Sequence, residues 1–458
     1  MIRIFNRSVP VRGVALRIFE ALLVFTALFL AGESGIGAQF NWAATKYGQI
    51  GLVGSVILLC MYGLDTYEPR VTTHQARGLS RIVQAMGLSM LIVAAVPHAW
   101  PWVHIDVPSL LVGMAMLGAA LALSRYLFAE VITNPDFAEP TVIWGSGALA
   151  ASIIRELQGR RDLGMRVVGV VEHGYRGKSF EGVRYLGSPE ELWPLAESGE
   201  ARRVIVAIGE RRGLPIERLM ELKAAGFAIE DGKEVFEELT GKVWLDGFSV
   251  GSLVFSRRFK TSSVSLFVNR AASTVCAVIA LFIAAPVMAL TAIAIKLDSK
   301  GPVILRQKRI GINGRPFTLF KFRSMFVGVE RAETTVPATQ DDPRCTRVGK
   351  WIRRVRLDEL PQLFNILRGD MYFIGPRPFV PDQEASLMQV IPNYRQRWAV
   401  RPGATGWAQV NRDYCATLED NIEKLSYDLF YIKHQSLGLD VVTVFKTLKI
   451  LLLGRGGR

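Results

Sequence analysis

Four apolar stretches, 14–32, 47–64, 82–96 and 107–132, occupy most of the first 133 residues. Each approaches the ~20 residues that a helix needs to cross a hydrocarbon core. Lipid offers no partners to backbone N–H and C=O groups, so segments like these are confined to helices. Residues 1–133 are therefore expected to form four transmembrane helices. A cleaved leader does not explain the first stretch, because Glu20 interrupts it and further stretches follow.

Loop charge sets the expected direction. Arg3, Arg7, Arg12 and Arg17 precede or enter the first stretch, and Arg70, Arg77 and Arg81 lie between the second and third. The other two loops hold only Lys46. An excess of Lys and Arg marks the cytoplasmic side, so the N-terminus and everything after the fourth span are expected there.

The remaining charge is unevenly distributed. The chain of 458 residues carries a net +14, yet from Arg257 onward 31 Lys and Arg face 16 Asp and Glu, a balance of +15. The first 256 residues are thus close to neutral. A basic C-terminal region suits anionic lipid surfaces or phosphorylated substrates. Nucleic acid is not expected as a partner, because the basic region opens on a membrane-length apolar run. Cys60, Cys276, Cys345 and Cys415 show no paired spacing, and the five histidines are scattered. Neither a disulfide framework nor a zinc site is expected.

The fifth apolar run, 271–295, is long enough to cross but has basic residues at both ends. Arg257, Arg258, Lys260 and Arg270 precede it, and Lys296, Lys300, Arg306, Lys308 and Arg309 follow. A true crossing would carry the +15 region outward, against the charge rule. Pro286 lies near the middle, where a missing amide and a ring clash bend a helix. A kinked fifth span remains the plain alternative. Charge and proline together favour a re-entrant helix at about 267–297, broken at Ala285-Pro286 and returning to the side it came from.

Between 134 and 250 the pattern alternates strands and helices, which argues a Rossmann-like α/β domain. Strand-like runs are 141–144, 166–171 and 203–208, with helices expected up to about Gly159 and from about Pro215 to Ala225. The Gly145-Ser-Gly147-Ala-Leu-Ala150 turn could present amides to a pyrophosphate, with Glu172 placed as a ribose-binding acid. Equally, its glycines could serve only close strand–helix packing. A regulatory role, or a homodimer formed through this domain, is the favoured reading.

The third region, 251–458, holds the chemistry. In Lys350-Trp-Ile-Arg353-Arg354-Val-Arg356-Leu-Asp358-Glu359-Leu-Pro361-Gln-Leu-Phe-Asn-Ile-Leu367 the apolar residues fall at helical spacing, with cations and two carboxylates opposite. Pro361 marks a break or a fresh helix start. Taken alone, Asp358-Glu359 also suits a solvated face with Arg354 and Asp358 paired at i,i+4. Among arginines, however, one carboxylate can attack phosphorus while its neighbour helps to hold Mg²⁺. Three further strings accompany this pair: the alternating Phe317-Thr-Leu-Phe-Lys321-Phe-Arg323-Ser-Met325, the Ile374-Gly-Pro-Arg-Pro378 whose prolines pre-organise Arg377 for a phosphate, and the glycine-punctuated Arg401-Pro-Gly-Ala-Thr-Gly-Trp407. Singly each suits turn chemistry or membrane-surface charge, but together they are hard to read as surface alone.

These strings, in the order LRQKRIG, FTLFKFRSM, RLDELPQLFNIL, GDMYFIGPRP and RPGATGWAQV, resemble the bacterial sugar transferase family from about 262 to 453. Its members are monotopic polyprenyl-phosphate hexose-1-phosphate transferases. The four spans and α/β insert look like the family's long form, which includes undecaprenyl-phosphate glucose phosphotransferases and exosortase-associated exopolysaccharide transferases. The resemblance implies a mainly α-helical catalytic domain with a re-entrant helix, at the inner (cytoplasmic) membrane of a bacterium.

It further implies that Asp358 attacks the β-phosphorus of a UDP-sugar, UDP-glucose or UDP-galactose. UMP leaves, and the sugar phosphate passes to undecaprenyl phosphate, initiating exopolysaccharide or capsule synthesis. Glu359 would share Mg²⁺ (or Mn²⁺) with Asp358. Lys321, Arg353 and Arg377 match family positions that handle phosphate or uridine, and Arg323 joins them by proximity. Two departures stand out: Ala285-Pro286 where the family commonly has Ser-Pro, and Arg356 where many members have Ser. The competing reading is a non-catalytic membrane scaffold or nucleotide sensor for polysaccharide assembly.

Overall fold

The computed structural model describes residues 2–4, 7–9, 11–34, 46–64, 66–67, 75–99, 107–133, 138–175, 177–209, 214–248, 251, 263–328, 342–412 and 417–452. The chain divides into two compact units, Met1–Thr240 and Gly241–Arg458.

The first unit begins with a short hairpin, β1 (Ile2–Ile4) and β2 (Arg7–Val9), followed by four helices. These are α1 (Val11–Ser34), α2 (Lys46–Gly63), α3 (Gln75–Ala99) and α4 (Val107–Thr133), one for each expected span. Within α1 and α3, Gly13–Leu30 and Gly78–Ala95 are long and apolar enough to cross a membrane, and the apolar part of α2, Ile50–Gly63, is shorter. Val24, Val53, Ile57, Ile82, Leu117 and Leu121 form the core of the bundle. Gly54 lets α2 approach α1, because a Cβ there would lie 2.4 Å from the Phe25 ring. The one acid of the first stretch, Glu20, is fully buried against Arg125 of α4, whose Nε and Nη2 donate to its carboxylate at 2.5 and 2.9 Å.

The α/β part contains the strands β3 (Glu139–Trp144), β4 (Met165–Val171), β5 (Ser179–Phe180), β6 (Val183–Gly187), β7 (Arg203–Val206) and β8 (Ala228–Asp231). Its helices are α5 (Ala148–Gly159), α6 (Leu192–Glu197), α7 (Ile216–Ala224) and α8 (Gly232–Thr240). The sheet order β5-β6-β4-β3-β7-β8 is parallel apart from β5 and winds outward in both directions from β3, as the Rossmann-like expectation required. Gly145 has φ +130°, and a Cβ there would meet the Ala207 carbonyl oxygen at 2.7 Å. The first glycine of the turn is therefore needed for close approach to β7. Glu172 accepts a hydrogen bond from the Ser146 amide at 2.8 Å.

In the second unit, residues 241–248 pack with the C-terminal region, where Val243, Leu245 and Phe248 join a core built on Trp407, Leu429, Tyr431 and Ile432. The elements then run α9 (Ser263–Asp298), β9 (Ile304–Ile310), β10 (Pro316–Phe322), α10 (Arg347–Arg354), α11 (Gln362–Arg368), β11 (Tyr372–Ile374) and α12 (Pro381–Val390). They end with β12 (Gly403–Thr405), α13 (Trp407–Asn411), α14 (Leu418–Lys433) and α15 (Leu437–Leu452). Strands β9 and β10 form an antiparallel pair, and β11 and β12 a parallel one. The region is mainly helical, as expected.

Helix α9 contains the fifth apolar run, and Arg270–Asp298 is long and apolar enough to cross a membrane. Pro286 lies inside it without interrupting it, so the break expected at Ala285-Pro286 is a proline within continuous helix. The residues around it, Phe282, Ile283 and Leu290, are strongly exposed. Both ends of α9 are nevertheless tied to the same unit. Arg270 donates to the Ile366 and Leu367 carbonyls at 2.5 and 2.6 Å, and Asp298 accepts from the Val348 amide at 3.0 Å.

Candidate active site

Asp358 and Glu359 lie in a single 3₁₀ turn, Leu357–Glu359, between α10 and α11. Thr346 starts α10 by accepting from the Gly349 amide at 2.9 Å. The helix ends at Arg354, and Arg356 turns the chain with φ +57°, in the left-handed region. Pro361 then begins α11 with φ −64°, the value a first helical turn needs. The continuous apolar spacing of 352–367 is therefore two short helices with the carboxylates at the corner.

Each cation around the corner comes from a different element. Lys321 near the end of β10 brings Nζ to 3.7 Å from Glu359 Oε1, and Arg377 brings Nη2 to 3.0 Å from the same oxygen. Arg356 Nη1 lies 3.8 Å from Oε2. The arginine that replaces a common serine thus takes the second oxygen of Glu359. Arg353 on α10 donates to Cys345 Sγ at 3.4 Å and is close enough for its charge to act on Asp358.

Arg377 is held from several sides. Gly375, Gly403 and Gly406 let two loops interlock: a Cβ at Gly403 would lie 2.1 Å from the Gly375 nitrogen, and one at Gly406 2.2 Å from its oxygen. The Gly375 amide donates to Thr405, and the Gly403 amide donates to Pro376. The Arg377 carbonyl accepts from Arg397 at 2.9 Å. Arg397 is itself buried between Asp428, Glu384 and the Tyr394 hydroxyl at 2.8, 3.2 and 2.7 Å. Opposite, the Ile310 amide and Arg309 Nη1 donate to the carbonyls of Phe379 and Pro378.

Electrostatics separates the two carboxylates. Burial raises Asp358, with the charge of Glu359 adding to the rise and Lys321, Arg353 and Arg377 opposing it. Burial also works against ionised Glu359, but Arg377, Lys321 and Arg356 overcome it and hold the group down at about 2. Burial lowers Lys321, partly offset by Glu359. Glu359 is thus the fixed anion of the corner, and Asp358 is the carboxylate destabilised as an anion and so the more reactive toward an electrophile.

Of the expected residues, Lys321, Arg353, Arg377, Asp358 and Glu359 come together. Arg323 does not. It is fully buried, donating through Nη1 to the Lys300 carbonyl and through Nη2 to the carbonyl and hydroxyl of Ser299, so it ties β10 to the end of α9. Proximity in sequence misled because the Arg323 amide still pairs with the Val303 carbonyl while its side chain is buried against the end of α9. Arg356 and Arg397 were missed as site residues. Arg356 read only as an extra charge, and the contacts of Arg397 join positions 13 to 31 residues apart.

A half-buried carboxylate pair ringed by cations, in a unit bearing a membrane-length apolar helix, suits phosphate chemistry at a membrane. The family described as bacterial sugar transferase matches residues 264–454, and a CoA-binding domain family matches 63–226. A protein of Aeromonas hydrophila, named UDP-N-acetylgalactosamine-undecaprenyl-phosphate N-acetylgalactosaminephosphotransferase, is 44% identical over 229 residues, covering 49% of this chain and 52% of its own. The undecaprenyl-phosphate glucose phosphotransferase of Komagataeibacter xylinus is 32% identical over 385 residues, covering 81% of this chain and 70% of its own. A UDP-glucose:undecaprenyl-phosphate glucose-1-phosphate transferase of Xanthomonas campestris is 33% identical over 351 residues, with coverages of 74% and 72%. The chain belongs to the bacterial sugar transferase family. It spans about half the length of the Aeromonas relative and about 70% of the other two.

Proposed function

We propose that this protein transfers a hexose-1-phosphate from a UDP-sugar to undecaprenyl phosphate through a covalent intermediate on Asp358, initiating a surface polysaccharide. The observation that carries the reading is the division of labour in the corner, where Glu359 holds Arg377 and Lys321 beside Asp358, whose anionic form is raised in energy by burial.

The chemistry balances in two displacements. An Asp358 carboxylate oxygen attacks the β-phosphorus, and the bond from that phosphorus to the bridging oxygen breaks, so UMP leaves with that oxygen. A phosphate oxygen of undecaprenyl phosphate then attacks the same phosphorus. The acyl-phosphate bond breaks, giving the polyprenyl-diphospho-sugar and regenerating the Asp358 carboxylate. Lys321, Arg353 and Arg377 neutralise charge on the transferring group.

Mg²⁺ is the metal proposed for this corner. Among the described residues no cluster of three or more His, Cys, Asp and Glu could cage a metal. Mg²⁺ is instead commonly held by one or two carboxylates together with substrate phosphates. Asp358 and Glu359 would hold it, with Mn²⁺ as a substitute. Bound there, it would polarise the pyrophosphate oxygens.

The packing of α9 along its length on one unit, from Arg270 through Ala277 against Leu363 and Ile366 to Ile295 against Phe322 and Ile352, supports the re-entrant topology, because a crossing helix would leave that face to lipid. Its exposed apolar middle then lies in one leaflet. With the loop charges, this supports an inner-membrane protein with its site facing the cytoplasm. The α/β part is read as a regulatory or dimerising unit.

The test is UMP release by protein in lipid nanodiscs with undecaprenyl phosphate, Mg²⁺ and each of UDP-glucose, UDP-galactose and UDP-N-acetylgalactosamine. Release that requires lipid and metal and is lost in Asp358→Asn supports the reading. Release that survives in Asp358→Asn moves the chemistry elsewhere, and none with any donor favours the scaffold.

A further inference from the structure

Among the described residues strand β10 has a partner strand on one side only, and on a free stretch of its backbone the side chain of Asn365 takes a partner's place. Asn365, fully buried on α11, accepts from the Phe320 amide through Oδ1 at 2.9 Å and donates from Nδ2 to the Thr318 carbonyl at 2.7 Å. Thr318 C=O and Phe320 N–H are the two groups that an adjoining strand would pair. The second Nδ2 hydrogen goes to Asp370 Oδ2 at 3.1 Å. A donor on one side and an acceptor on the other fix the orientation of the amide.

What this pairing joins gives it meaning. Lys321 directly follows Phe320 on β10, and α11 begins three residues after Glu359. The Asn365 amide therefore fastens the strand that carries Lys321 to the helix that follows the carboxylate corner. We propose that Asn365 is a positioning residue for phosphoryl transfer, acting through Lys321 by holding its ammonium against the Asp358–Glu359 corner where the sugar phosphate is transferred. The inference rests on the proposed reaction at Asp358. No apolar residue of similar size reproduces it, since both backbone groups would be left buried without partners.

The test is a double-mutant cycle on full-length protein in nanodiscs, reading UMP release and followed to single turnover so that slow variants stay measurable. In the wild-type background Asn365→Ala is expected to lower kcat by about tenfold, the order a small misplacement of a catalytic group causes. In the Lys321→Ala background the same change is expected to cost less than about twofold, because coupled positions are not additive. Asn365→Gln keeps both hydrogen-bonding groups but lengthens their reach by one methylene, and serves as a second variant should the alanine protein not fold. It is expected to show the same dependence on Lys321. Equal fold-losses in both backgrounds would overturn the assignment and leave Asn365 a purely structural residue. UMP release by Asp358→Asn would instead overturn the reaction on which it rests.

Discussion

Arg377 donates to Glu359 at 3.0 Å, and its own carbonyl accepts from the buried Arg397 at 2.9 Å. One residue thus connects the carboxylate corner to the core of the second unit. A side chain fixed at both its backbone and its tip loses little freedom on meeting a phosphate, which suits a group that must be in place before the transition state.

The pH dependence of the reaction follows from the difference between the two carboxylates. As the proposed nucleophile Asp358 must be ionised to attack, and burial raises it above the usual 3.8. The acid limb of kcat/KM for UMP release is therefore expected above that value. Glu359→Gln removes a repelling charge and should move the limb down, whereas Lys321→Ala removes an attracting one and should move it up. Shifts in the reverse directions would assign the limb to another group.

Arg397 neutralises two buried acids, Glu384 and Asp428. Arg397→Met is expected to cost about 3–5 kcal/mol, because it leaves both carboxylates buried without their cation. Burial already raises Glu384. The triple variant Arg397→Met, Glu384→Gln, Asp428→Asn should recover most of the loss in thermal unfolding. A single variant as stable as wild type would refute the central role of this cluster.

Asp440 on α15 accepts from the Tyr431 hydroxyl at 2.8 Å and is raised to about 6 by burial. The folded state therefore holds this proton more tightly than the unfolded chain. Stability from this group is full below pH 3.8, falls as pH rises to about 6, and stays lower beyond. Asp440→Asn keeps the hydrogen bond without the charge. It should match wild type near pH 4 and exceed it at pH 8 by at most about 3 kcal/mol. Melting curves at the two pH values measure the difference.

The strands and helices of the α/β part were legible because buried parallel strands are continuous apolar runs between turn signals, as in 141–144 and 166–171. The gathering of Lys321, Arg353 and Arg377 about Asp358 and Glu359 was legible because the strings that carry them stand in a fixed order. Arg323 was misplaced because a residue's sequence neighbourhood does not show that its side chain is spent on the Ser299 and Lys300 carbonyls. Asn365 was invisible for another reason: a buried amide that completes a strand has the same sequence signature as any polar residue on a helix, and its partners Thr318 and Phe320 lie 47 and 45 residues away. The Arg397 cluster shares this dependence on distant pairing. Its chemistry exists only after β11, α12 and α14 have packed.

The buried pair Glu20–Arg125 gives a way to separate the two units experimentally. Arg125 also donates to the Thr66 carbonyl at 3.0 Å, so one guanidinium ties α1, α4 and the end of α2. Glu20→Leu leaves that cation buried without its carboxylate, a change of about 3–5 kcal/mol against the bundle. The carboxylate corner lies in the other unit, whose core is built from its own residues. Thermal unfolding of Glu20→Leu is therefore expected to show an early transition, with UMP release per folded molecule close to wild type. If release instead falls in step with the loss of the bundle, the helices contribute to catalysis as well as to anchoring.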